Sequence, residues 1–387
     1  MISAVQSNGK SISPMLSERE KCLMPLLLGK TLTEEDMHIL TDGFDMDESN
    51  QIYLLMLACV GCAQGWDLFP PEMIPRLKGI HRYHQVANTI RIPWLKTKIH
   101  TLNEAGIPVM LLKGLAHRYH YCVGMPRLMG DFDIAVPEDR YAEAIELLQD
   151  EKSEYRGRTS PHHGKIVCDR MTLEVHSWIF KNAGERGSDI WDRAVHFDLQ
   201  GEEVCALCPE DMLIHLLDHW SRDYFTNTFL NRWMKFFFDA LKICQYTGPL
   251  DLDSLAKRSA ELHVLNRVHQ ALEMFAAEYP DVVNKEALEK AFPNTRKYQK
   301  WLKLCNEFKE MDATFPNYGY AVDGSLTEPK HFMRSLKKHI LRYRYRYPDQ
   351  KLGQGKYTIA TYLREISRKK TNKEMIVFFA KRLSPFG

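Results

Sequence analysis

From Ser17 to about His100, apolar residues recur every third or fourth position: Leu23, Leu26 and Leu27, then Ile52, Leu55, Met56 and Cys59, then Ile92, Leu95 and Ile99. This spacing predicts amphipathic helices. Thr33-Glu34-Glu35-Asp36 has the residues of a helix start, a hydroxyl followed by acids in the first turn, and Pro70-Pro71 interrupts the pattern that follows. Residues 1–100 are therefore expected to form an N-terminal helical region.

The period changes at Gly106-Ile107-Pro108. The short run Val109-Met110-Leu111-Leu112, closed by Lys113-Gly114, has the length and punctuation of a buried strand entering a turn. A helix is expected from Ala116 to Tyr121, then a strand through Asp131-Phe132-Asp133-Ile134-Ala135-Val136. Pro137-Glu138-Asp139 opens a helix whose apolar face is Tyr141, Ala144, Ile145 and Leu148. Two further strands, Lys165 to Asp169 and Met171 to Ser177, follow in hairpin-like succession. Residues 101–200 thus read as a mixed α and β unit. Pro209-Glu210-Asp211 begins another helix, and helical spacing dominates to about Glu310. The segments expected are 1–100, helical; 101–200, the mixed core; 201–320, a second helical region; and 321–387, a basic tail, partly helical.

Composition narrows the class. Apolar residues at 44% and charged residues at 26% of 387 fit a soluble globular protein. No apolar run is long enough to span a bilayer, and nine cysteines without a secretion signal suit reduced thiols, so a cytoplasmic protein without structural disulfides is expected. The net charge of +2 conceals an asymmetry: residues 330–387 hold 16 Lys or Arg against three acids, a local +13, leaving −11 for the rest. Such an end suits docking on an acidic body or on an anionic partner.

The strand through Asp131 and Asp133 carries the candidate chemistry. Side chains alternate along a strand, so the two carboxylates share a face while Phe132, Ile134 and Val136 take the other. Neighbouring anions repel unless a cation lies between them, and Mg²⁺, or Mn²⁺ as the alternative, accepts hard carboxylate oxygens. Glu174, in Thr172-Leu173-Glu174-Val175-His176, is the best third acid for a metal-assisted phosphoryl-transfer site. Lys113 and Arg127 supply complementary positive charge, and Gly114 lets the chain approach a phosphate closely. Taken singly, Lys113 also reads as a solvated strand-end lysine and Arg127 as the partner of an acid.

The order Leu112-Lys113-Gly114, Arg127-Leu128-Met129-Gly130-Asp131-Phe132-Asp133, Leu173-Glu174-Val175-His176 and Pro209-Glu210-Asp211-Met212-Leu213-Ile214-His215 resembles the uncharacterised nucleotidyltransferase family of the DNA polymerase beta-like superfamily. The sequence departs from the broader superfamily in having Lys113-Gly114 where many members carry Gly-Gly or Gly-Ser, and in the long interval from Gly114 to Asp131. The resemblance implies an α+β fold, a small mixed sheet flanked by helical regions. It also implies transfer of a nucleoside monophosphate from a triphosphate such as ATP, with Asp131, Asp133 and Glu174 holding the metal and Lys113, Gly114, Arg127 and Gly130 at the nucleotide phosphates. His215, His219, Arg232 and Asp239 are similar to polar positions that recur in the family's helical part, and with His176 they become candidates for acceptor or cleft contacts. The acceptor stays open among a sugar, a peptide, a protein or an RNA.

Two other readings use the same residues. An Asp-x-Asp pair also serves metal-dependent glycosyltransferases, and an inherited carboxylate site could bind nucleotide or RNA without catalysis. Arg342 to Tyr347 interleaves guanidinium groups with tyrosines, a composition that tracks phosphates and stacks bases, but packing of the tail on the body is favoured over nucleic-acid binding. Cys205-x-x-Cys208 with His215 and His219 has the residue types of a zinc site but not its spacing.

Overall fold

The computed structural model describes residues 16–47, 51–121, 127, 129–150, 153–155, 163–169, 171–180, 189–225 and 233–314. The chain divides into two units, Met1–His219 with Asn231–Phe292, and Trp220–Leu230 with Pro293–Gly387.

The first unit begins with α1 (Glu18–Leu27), α2 (Glu34–Thr41), α3 (Gln51–Gln64) and α4 (Ile74–Glu104). The start expected at Thr33 is a capping box: the Asp36 amide donates to Thr33 Oγ1 at 3.1 Å, and the Thr33 amide donates to Asp36 Oδ2 at 3.2 Å. Ser17 and Glu20 cap α1 in the same way. One stripe of α4 is buried through Leu77, His84, Asn88, Ile92, Leu95, Ile99 and Leu102.

The mixed region contains β1 (Met110–Leu111), α5 (Lys113–Ala116), a π-helical turn at His117–Tyr121, β2 (Phe132–Ala135), a 3₁₀ turn at Glu138–Arg140 and α6 (Tyr141–Leu147). Then come β3 (Glu154–Tyr155), β4 (His163–Cys168), β5 (Met171–His176), α7 (Asp189–Asp192), β6 (Val195–Leu199) and β7 (Glu202–Ala206). These strands form one seven-stranded sheet in the order β3-β4-β5-β2-β1-β7-β6. The β2–β5 and β1–β7 pairs are parallel and the other pairs antiparallel. The α+β fold expected from the sequence is the one observed.

The expected strand pair after residue 164 is the β4–β5 hairpin. The β6–β7 hairpin was not anticipated, and it carries the sheet past residue 200. Its signal was present: Val195-His196-Phe197-Asp198-Leu199 alternates, and Gln200 and Gly201 take φ of 55° and 94°, the left-handed pair of a tight hairpin turn.

Helices α8 (Pro209–Phe225), α9 (Trp233–Thr247), α10 (Leu252–Glu261), α11 (Leu265–Glu278) and α12 (Lys285–Ala291) follow. In the second unit α13 spans Arg296–Thr314, with the Tyr298 and Trp301 rings stacked 5.9 Å apart. Among the described residues no helix is long and apolar enough to cross a membrane.

The sheet core sets the orientation of the site. Phe132 stacks on Trp94 of α4 at 6.4 Å between ring centroids, so that face of β2 is covered by α4. Ile134, Leu173 and Val175 share its parity and are fully buried. Asp133, Glu174 and His176 have the opposite parity and project from the other face.

Candidate active site

Strand register brings the acids together. Asp133 lies beside Glu174 across the parallel β2–β5 pair, and Glu174 lies beside Lys165 across the β4–β5 hairpin. One ligand atom each from Asp133, Glu174 and His176 falls within 4.8 Å of the others, the one such group of three among the described residues. His176 Nε2 is 3.1 Å from Asp133 Oδ1 and 3.9 Å from Glu174 Oε2. Asp131 is a residue short of the strand and is exposed. It nevertheless senses the site: loss of hydration from the surrounding protein, then repulsion from Asp133 and Glu174, raises its carboxyl above the ordinary range.

Two lysines balance these acids. Lys113 Nζ donates to Asp133 Oδ1 at 2.5 Å, and Lys165 pairs with Glu174. Burial alone would raise the Asp133 carboxyl, but the Lys113 charge and the hydrogen bond from His176 hold it well below the usual carboxylate range. Lys113 is delivered by an unusual backbone, with φ of 48° where β1 ends and α5 begins. A left-handed non-glycine residue costs roughly 1–2 kcal/mol, so packing around this turn holds the lysine against a local penalty. Gly114 at this turn has ordinary room: a Cβ there would meet Met129 at 3.5 Å. Gly130 is exposed and open.

Arg127 is not at this cluster. Its guanidinium, expected at the phosphates, is buried against Asp239 of α9, with Nη2 2.7 Å from both carboxylate oxygens. Asp239, expected in the cleft, is consumed by that pair and by His117, whose Nε2 is 3.9 Å away. A desolvated carboxylate requires a fixed cation, and the planar guanidinium serves both oxygens. The Arg127 amide also donates to Asn88 Oδ1 of α4 at 3.0 Å, and Arg91 Nη1 donates to the Met129 carbonyl at 2.6 Å. Arg127 and Met129 are thereby tied to α4 and α9.

Two of the remaining candidates, His215 and His219, are neighbours on α8, their rings 6.5 Å apart. His215 is buried on α8 with its ring edge-on to Phe180, and His219, one turn on, lies beside Phe236. Arg232 and the 321–387 tail, including its arginine–tyrosine stretch, lie outside the described residues. Cys205 is buried on β7, and Cys208 accepts from Arg193 Nη2 at 3.4 Å; neither joins His215 and His219 in a ligand cluster. Lys165 was missed from sequence. Its only signal was the alternation of β4, which identifies a face but not the acid opposite.

The donor set fits a divalent cation. Carboxylate oxygens suit Mg²⁺ and Mn²⁺, and an imidazole nitrogen beside them extends the set toward transition metals.

The sheet thus presents Asp133, Glu174 and Lys165 side by side with Lys113 at its edge, and the family match makes the protein a transferase. Residues 48–280, more than half of the chain, match the family described as uncharacterised nucleotidyltransferase, and the chain belongs to that family. Among solved structures it is similar to the crystal structure of an antigenic nucleotidyltransferase-like protein from Paracoccidioides brasiliensis, at 14% identity over 49% of this chain and 88% of that one, with a TM-score of 0.34. No curated protein matches the chain.

Proposed function

We propose that this transferase moves a nucleoside monophosphate from a nucleoside triphosphate to an acceptor, using Mg²⁺ or Mn²⁺ held by Asp133 and Glu174 with Asp131 and His176 beside them. The observation that supports this most strongly is the β2–β5 register, which sets Asp133 opposite Glu174 on a face shared with Lys113. Two carboxylates that close favour a cation between them, and a lysine at the edge favours the anion that comes with it.

When bound, the cation would neutralise the phosphates and acidify the acceptor hydroxyl. Asp133, kept ionised by Lys113 and His176, holds negative charge on the site at neutral pH. Lys113 orients the phosphate chain. Glu174 accepts the proton of the acceptor hydroxyl as its oxygen bonds to the α-phosphorus, the bond to the bridging oxygen breaks, and pyrophosphate leaves with that oxygen's electron pair. The Arg127–Asp239 pair acts by holding Arg127 and its neighbour Met129 against α4 and α9 ahead of β2.

The test is mass spectrometry of the protein and of an acceptor pool of sugars, peptides and RNA after incubation with each triphosphate and Mg²⁺ or Mn²⁺. A mononucleotide increment lost in Asp133→Asn and Glu174→Gln is expected. An increment that survives both substitutions refutes the proposal. Protection of the protein against thermal unfolding by a sugar nucleotide but not by free triphosphate transfers the site to glycosyl chemistry.

A further inference from the structure

Each carboxylate of the β2–β5 pair carries its own ammonium: Lys113 on Asp133, and Lys165 on Glu174 from the neighbouring β4. Both lysine charges also act on the Asp131 carboxyl. The Lys165 and Glu174 side chains keep 24% and 12% of their exposure, so the pair borders solvent and can open without unfolding the sheet. A lysine ammonium is a compact charge on a flexible stem and can exchange one anion for another by rotating that stem.

We propose, on the nucleotidyl-transfer reading above, that Lys165 is a second phosphate-binding cation, which pairs with Glu174 until a divalent cation and a triphosphate bind together. A divalent cation arriving alone meets ammonium groups on the oxygens it needs. A triphosphate arriving alone meets carboxylates. When both enter, the cation takes the carboxylates and the lysines turn to the phosphate oxygens, so opposite charges face each other throughout. The two ligands therefore bind with positive coupling, and linkage makes that coupling reciprocal. A lysine serving only to stabilise the sheet would create no such link.

The experiment measures Mn²⁺ affinity of the full chain by electron paramagnetic resonance. It also measures, by calorimetry, the affinity of the Mn²⁺ complex of a nonhydrolysable α,β-methylene triphosphate. Lys165→Met is expected to bind Mn²⁺ alone at least fivefold more tightly than wild type and the Mn²⁺–triphosphate complex at least tenfold more weakly, with Lys165→Arg close to wild type in both. Lys165→Gln serves in place of the Met variant if the latter does not fold, as judged by circular dichroism. Unchanged or weaker binding of Mn²⁺ alone, or an unchanged affinity for the complex, overturns the role of Lys165 while leaving the carboxylate site intact. Wild-type affinity for the complex in Asp133→Asn overturns the nucleotidyl-transfer reading itself, and the role of Lys165 with it.

Discussion

The Arg127–Asp239 pair decides between a phosphate-binding arginine and a structural one. Both side chains are nearly dry, at 6% and 4% exposure, and one guanidinium nitrogen serves both carboxylate oxygens at 2.7 Å. Removing one member of such a pair strands a charge, typically at about 3–5 kcal/mol, a large share of the roughly 5–15 kcal/mol that stabilises a folded protein. The two single substitutions should differ. In Arg127→Met the stranded carboxylate can take up a proton, and His117 and Lys235 still bear on it. In Asp239→Leu the guanidinium cannot lose its charge, so this variant should be the less stable. Arg127→Met/Asp239→Leu strands neither charge and should recover much of the loss, giving a coupling energy of roughly 2–4 kcal/mol. Urea unfolding followed by tryptophan fluorescence reads these differences as midpoint shifts. Arg127→Met with a wild-type midpoint but a large loss of triphosphate affinity would refute the structural role and return Arg127 to the phosphates.

Two further predictions test the packing around the site. Gly164 on β4 adjoins Lys165, and a Cβ there would come within 2.7 Å of the Tyr155 ring, 2.9 Å of Tyr141 Oη and 3.1 Å of Ile145 Cδ1. Gly164→Ala should therefore cost about 1–3 kcal/mol, and an unchanged melting temperature would show that these side chains yield freely. His269 on α11 is buried, and burial lowers its ring to about 4. The unfolded chain protonates near 6.5, so this contribution to stability is full above that pH, is lost as pH falls toward 4 and changes no further below it, by about 3 kcal/mol in all. His269→Gln should flatten this part of the urea-midpoint profile, and an unchanged slope would exclude His269 as its source.

The chain by itself determined the local elements. The helix start at Thr33, the Pro starts at Pro137 and Pro209, the three- and four-residue stripe of α4 and the alternation of β4 and β5 depend on neighbours a few positions apart, and they are legible for that reason. So was the chemical character of Asp133 and Glu174, because carboxylates on predicted strands require a charge partner. Tertiary structure decided which partner each received. Asp133 and Glu174 meet through a parallel pairing of strands that are not consecutive, and periodicity specifies a face without specifying the register of another strand. Arg127 and Asp239 are 112 residues apart, and only the packing of α9 against the segment before β2 turned a candidate phosphate ligand into a buried ion pair. Lys165 was one lysine among many until the β4–β5 register set it beside Glu174. Charge is written in the sequence, but the dielectric around it and the distance to its counter-charge are properties of the folded chain.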